Sequence, residues 1–192
     1  MSKPKKGQKG VLQDVHAGSG VTWINVHEPT NESLKELKKR FPFFLESDLE
    51  DCLPPYERPK LLQRDQYLFM VLLFPVLDPK THTIVPYEVD FFVGKGFLVT
   101  SHRGTHPTLT TLLEACSEGS DKCVLRPDDN PLRLTLDIIH GLIAAGFPMV
   151  TELSNELIET ERRLFDSTAN GGFTKILLRL RTNVLAFRKT VQ

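Results

Sequence analysis

The chain has 192 residues, 40% of them hydrophobic and 25% charged, enough for one soluble domain with a sizeable core. Its 24 Lys+Arg balance its 24 Asp+Glu, and a formal net charge of zero argues against a nucleic-acid binder, which needs a basic face. Its three cysteines, Cys52, Cys116 and Cys123, form no C-x-x-C pair. The sequence therefore suggests neither a disulfide framework nor a zinc knuckle, and it fits a reducing compartment.

The start, "MSKPKKGQKG", is basic, lacks the apolar stretch of a signal peptide and reads as a disordered leader over residues 1–10. "VTWINVHEP" (21–29) reads as a strand ending at a proline. "NESLKELKKRF" (31–41) switches to helical period, with Leu34, Leu37 and Phe41 on one stripe and Thr30 or Asn31 as the N-cap. "FFLESDLEDCL" (43–53) predicts a second short helix with Leu45, Leu49 and Leu53 on one face, stopped by Pro54-Pro55. That frame turns Glu50 and Asp51 away from the leucines.

"QYLFMVLLF" (66–74) is apolar on both faces, as expected of a central strand covered on both sides. Leu68, Met70, Leu72 and Phe91 are expected in the core, with Trp23 at least partly buried. The longest apolar run, "YLFMVLLFPVL" (67–77), holds Pro75 and falls short of the about 20 apolar residues that span a bilayer, so no membrane span is expected. "VPYEVDFFV" (85–93) and "GFLVTSH" (96–102) are further strands. Gly94-Lys95 between them suits a primed turn, whose first central residue needs φ > 0. Three strands joined by short turns make an antiparallel meander.

After Arg103 the chain turns helical. "HPTLTTLLEAC" (106–116) carries Pro107 as an early helical residue. Residues 128–146 form a helix with an Asp/Asn cap and Pro131 at the start, its expected buried stripe being Leu132, Leu136, Ile139 and Ile143. Two heptad seams follow: Val150, Leu153, Leu157, Thr160 and Leu164, then Phe173, Leu177, Leu180, Val184, Phe187 and Val191. Across the "STANGG" break they predict an antiparallel hairpin. No stop signal closes the second helix before Gln192, so more protein is expected to follow. The fold class is α/β: a mixed, largely antiparallel sheet sandwiched between helices. It fills residues 11–147, and the hairpin takes 148–192.

Catalytic signatures are weak. "GSG" (18–20) lacks the nucleophile-elbow frame, "GKGFLV" (94–99) is a hairpin turn rather than a dinucleotide loop, and no nucleophile–base set appears, so an enzyme is not expected. His102 and His106 have the i, i+4 spacing of metal ligands, but Gly104 and Pro107 favour an exposed loop; His16, His27 and His82 are expected at the surface. Asp48, Glu50 and Asp51 would offset a helix dipole on a solvated face, or hold a hard cation such as Mg2+ or Ca2+.

Four stretches together resemble the N-terminal cytoplasmic domain of the CorA family of divalent-cation transporters: "TWINVHEP" (22–29), "LEDCLPPYERPKLLQRDQYLFMVL" (49–72), "EVDFFVGKGFLVTSH" (88–102) and "TNVLAFRKTV" (182–191). Order and spacing match from about residue 11 to the end. The resemblance implies the cytoplasmic part of a homopentameric membrane protein whose own stalk and membrane spans lie beyond Gln192. It implies a regulatory Mg2+ held between subunits, with Glu50 and Asp51 at the matching positions. Where some members carry a further acid, this chain has His140, one turn after Asp137. Histidine suits Zn2+, Co2+ or Ni2+, which keeps the zinc-transporting ZntB branch open. Outside the family, a soluble α/β interaction module that docks a partner through the hairpin is the alternative.

Overall fold

The computed structural model describes residues 9–16, 20–118, 120, 123, 130–165 and 173–191. The leader over 1–8, the Asp128 and Asp129 cap, the "STANGG" break and the side chain of Leu164 lie outside the described residues. The elements run β1 (Val11–His16), β2 (Thr22–His27), α1 (Asn31–Arg40), α2 (Glu46–Glu50), β3 (Lys60–Gln63), β4 (Tyr67–Asp78), β5 (Thr83–Gly94), β6 (Phe97–His102), α3 (Pro107–Ser117), α4 (Pro131–Ala144), α5 (Phe147–Phe165) and α6 (Phe173–Val191). The six strands form one sheet in the order β1-β2-β6-β5-β4-β3. β1–β2, β5–β6 and β3–β4 are antiparallel, while β2 and β6 pair parallel, so the sheet is mixed and largely antiparallel.

The chain divides into two compact units, one of Met1–Leu72 and Tyr87–Gly141, the other of Leu73–Pro86 and Leu142–Gln192. In the first, strand alternation sends successive side chains to opposite faces. Ile24, Val26, Phe69, Val71, Phe92 and Val99 join Leu34, Leu37, Phe44 and Leu49 from the α1–α2 region in one core. Trp23, Val89, Phe91 and Leu98 are buried on the other face, and Leu109, Leu113, Leu134 and Ile138 are the buried residues of α3 and α4. A Cβ on Gly141 would meet Thr108 Cγ2 at 3.2 Å, so glycine lets α4 approach α3 closely. The indole of Trp23 donates to Thr100 Oγ1 at 3.0 Å, and Thr100 donates to Asn25 Oδ1 at 2.8 Å, which links three buried polar side chains of this layer.

Local expectations hold where chemistry is local. α1 starts at Thr30 in a capping box with Ser33. The second helix is shorter than expected, five residues rather than 43–53. Leu45 is extended at φ −71°, ψ 142°, its amide donates to the Tyr67 hydroxyl at 3.0 Å, and its side chain is 45% exposed rather than part of a buried leucine face. Gly94 and Phe97 pair, which puts Lys95 and Gly96 at the centre of the turn; the positive φ (80°) falls on Gly96, so the turn is not primed. On β4, Met70 is buried but Leu68 and Leu72 are only half-buried; Tyr67, Phe69 and Val71 are its main core residues.

The expected stripe of α4 is reversed. Leu132, Leu136 and Ile143 are exposed, and Leu134, Thr135, Ile138 and Leu142 are buried. The helix is apolar nearly all round, so two i, i+4 stripes compete and periodicity does not choose between them. Pro131–Arg163 also meets the length and composition of a membrane span, contrary to expectation, with 28% of its most apolar stretch buried; it breaks into α4 and α5 at residues 145–146. Cys116 and Cys123 are joined in a disulfide that the spacing did not suggest, and Cys52 is free and buried.

In the second unit α5 and α6 pack as the expected hairpin, bridged by an ion pair between Glu156 and Arg179. The heptad seam is only partly its interface. Thr160, Leu180, Asn183 and Thr190 are buried, while Val150, Leu157, Leu177, Val184 and Val191 are exposed. Asn183 sets this rotation: its Oδ1 accepts from Ile84 N at 3.0 Å and its Nδ2 donates to His82 O at 3.0 Å, which tethers α6 to the β4–β5 turn.

Candidate metal-sensing edge

The acids at the end of α2 rest on a buried anchor. Asp48 is 1% exposed and accepts from Arg64 Nε at 2.9 Å, Arg64 Nη2 at 2.6 Å and the Tyr67 hydroxyl at 2.7 Å. Burial alone would raise the Asp48 carboxyl, but the hydrogen bonds from Arg64 and Tyr67 outweigh it and hold it below the usual carboxylate range. Burial pushes the Tyr67 hydroxyl up to about 12, so it stays a donor to Asp48. Arg64 and Tyr67 flank the turn into β4, so this triad ties α2 to the sheet.

The two predicted residues follow directly. Glu50 is exposed. Asp51, its side chain 20% exposed, pairs with Lys60 at the start of β3, Asp51 Oδ2 lying 2.7 Å from Nζ. Lys60 Nζ is also 3.4 Å from Glu57 Oε2 and 5.9 Å from the centre of the Phe69 ring. Glu88 accepts from the Glu57 amide and, at 2.8 Å, from Arg103 Nη2. Beyond it, burial and the neighbouring Glu88 push the Asp90 carboxyl well above the usual carboxylate range.

The second predicted pair sits on α4. Asp137 lies 3.8 Å from Arg133, one turn earlier, and His140 is exposed. Among the described residues no three His, Cys, Asp or Glu side chains converge in a metal-binding group, so Glu50 and Asp51 are adjacent to each other but are not gathered with Asp137 and His140 into one cluster.

His102 and His106 are not on an exposed loop: they are 6% and 2% exposed. The Tyr87 hydroxyl lies 2.7 Å from His102 Nδ1, and His106 Nδ1 accepts from the Thr108 amide at 3.3 Å as the N-cap of α3. Burial, with His27 beside it, lowers the His102 pKa to about 4. His27 is half-buried against His102, with ring centres 5.2 Å apart; His82 is exposed and the side chain of His16 lies outside the described residues. The Tyr87 contact and the cap engage the Nδ1 atoms, while both Nε2 atoms are buried with no hydrogen-bond partner among the described residues.

Sequence reading placed Asp48 on a solvated face, where the structure buries it, and missed Lys60, Arg64 and Tyr67. Their partners are too far apart in the chain for periodicity to pair them. The one usable signal was "LQRDQYLF", where an Arg and a Tyr bracket a turn at the edge of an apolar run.

The family model described as CorA-like Mg2+ transporter protein matches residues 18–192. The chain belongs to the CorA family. It is 28% identical over 169 residues, 88% of its length, to a putative metal ion transporter, YfjQ, of Bacillus subtilis (strain 168), and spans 50% of that protein's length. The soluble domain of CorA from Methanocaldococcus jannaschii superposes with a TM-score of 0.75 at 19% identity, over 90% of this chain and 66% of that one. The ZntB cytoplasmic domain from Vibrio parahaemolyticus RIMD 2210633 superposes with a TM-score of 0.59 at 12% identity, over 89% of this chain and 67% of that one. At these identities the two structures establish the fold, that of the CorA soluble domain.

Proposed function

We propose that the chain is the cytoplasmic, metal-sensing part of a divalent-cation transporter, and that it works as one subunit of a homopentamer joined to its own stalk and membrane spans. The observation that carries this reading is the placement of Glu50 and Asp51 at the end of α2, on the rigid Asp48–Arg64–Tyr67 anchor. Carboxylate oxygens suit Mg2+, which keeps several waters and takes few protein ligands. One chain supplies only part of such a site, because no three donors converge among the described residues. The remaining oxygens would come from a neighbouring subunit or from a following stalk helix. Facing carboxylates repel when the cytoplasmic cation is scarce and close together when it is abundant, which biases a two-state assembly. His140, exposed one turn after Asp137, favours a second reading in which the sensed ion is Zn2+, Co2+ or Ni2+.

Limited proteolysis of the pentameric full-length protein tests the proposal. Mg2+ should protect the wild type and leave Glu50→Gln/Asp51→Asn as sensitive as the metal-free protein. Equal protection of both would overturn it.

A further inference from the structure

Asp51 already has a cation. Lys60 Nζ sits 2.7 Å from its Oδ2, and the side chains are only 27% and 20% exposed. The ammonium is held on three sides. Besides Asp51 it meets Glu57 Oε2 at 3.4 Å and the Phe69 ring at 5.9 Å, and Lys60 opens the edge strand β3, whose pairing with β4 fixes its backbone. Glu50 has no such partner among the ion pairs of the described residues and is exposed. The two acids assigned the same role are therefore in different electrostatic states.

We infer that Lys60 is a tethered competitor for divalent cations at Asp51, setting how much free metal the edge needs before it binds. The inference rests on the metal-sensing reading above. A doubly charged ion that approaches Asp51 meets a fixed positive charge, and like charges a few ångströms apart repel strongly in a partly desolvated site. The ion binds only as the ammonium leaves. Lysine is suited to this: its charge sits at the end of a flexible four-carbon stem and makes no bidentate lock, unlike the Arg64–Asp48 pair beside it. Glu57, already within 3.4 Å, is the carboxylate that receives it. The exchange is one ammonium moving from Asp51 to Glu57, with no bond made or broken. Arg103 and Glu88 do not take part, since they are paired with each other at 2.8 Å.

The test titrates Mg2+ into the 192-residue chain, following backbone amide shifts of Glu50 and Asp51 by NMR. Lys60→Gln should lower the half-saturating Mg2+ concentration by roughly two- to fivefold, the scale of a partly exposed ion pair. Lys60→Arg, which keeps the charge, should bind no better than wild type, and adding Asp51→Asn to Lys60→Gln should erase the gain. The inference fails if Lys60→Gln binds Mg2+ no more tightly than wild type, or if Lys60→Arg gains as much. A direct measurement needs no variant: the Lys60 ammonium resonance of wild type must shift together with the Asp51 amide, and a Lys60 signal that stays fixed while Asp51 titrates refutes the exchange. A failure of the metal-sensing reading appears as the absence of any Mg2+-dependent shift at Glu50 and Asp51 in wild type and variants alike, whereas a failure of the competitor appears as saturable shifts with the same half-saturating Mg2+ in wild type and Lys60→Gln.

Discussion

Replacing Asp48 by Ala separates the anchor from the sensing acids. The substitution removes a buried carboxylate with three charge-assisted or hydroxyl donors at 2.6–2.9 Å. Removing one partner of a buried pair costs about 3–5 kcal/mol when the other charge is stranded. Arg64 is 28% exposed and can turn to water, which reduces that figure. Tyr67, 5% exposed, loses the acceptor for its hydroxyl, at about 1–3 kcal/mol. The net expectation is about 3 kcal/mol, or a fall of roughly 6–12 °C in Tm for a chain of this size. The assay is urea unfolding with an unchanged m-value. Glu50→Gln, on the exposed side of the same helix, should stay within about 0.5 kcal/mol. A loss under about 0.5 kcal/mol for Asp48→Ala would refute the anchor. The Asp48 pKa is lowered in the fold, so its contribution is present above the unfolded value near 4 and is lost as pH falls below it.

Leu134→Ala should cost about 2–5 kcal/mol and Leu136→Ala under about 0.5 kcal/mol in denaturant unfolding; the reverse order would restore the stripe that periodicity suggested. His102 has its pKa lowered to about 4 in the fold against 6.5 outside it, so its contribution is complete above pH 6.5 and is lost as pH falls toward 4. That loss is up to about 3 kcal/mol, and His102→Gln should flatten the stability–pH slope across this window; an unchanged slope would reject the burial argument. Asn183→Ala strands the Ile84 amide and the His82 carbonyl and should cost about 1–3 kcal/mol, read by unfolding and by faster amide exchange at Ile84; exchange at the wild-type rate would show that the tether does not hold.

What the sequence disclosed follows from range. The N-cap of α1, the β5–β6 hairpin and the strand run into β4 depend on neighbours within a few residues, and each was legible, although the turn centres on Lys95–Gly96 rather than Gly94–Lys95 and is not primed. The rotation of α4 was not legible, because Leu132/Leu136 and Leu134/Ile138 are equally apolar and only the tertiary partner selects one. α6 failed similarly: Asn183, a polar residue off the heptad seam, carries two backbone hydrogen bonds and overrides the leucines. Around the candidate site, the acids at 48–51 stood out by composition, but their division of labour did not. Asp48 meets partners 16 and 19 residues away, which no spacing rule links. Burial of His102 and His106 was hidden for a related reason. Gly104 and Pro107 do mark a break, but His106 turns inward to cap the helix that follows.

The most direct test of the central proposal is divalent-cation uptake by the full-length protein carrying Glu50→Gln/Asp51→Asn, measured as internal metal is varied. The account predicts that wild-type flux falls as internal metal rises and that the variant keeps conducting at the same internal concentrations. A variant inhibited at the same internal metal as wild type would return Glu50 and Asp51 to a solvated helix end and move sensing to Asp137, His140 or another part of the protein.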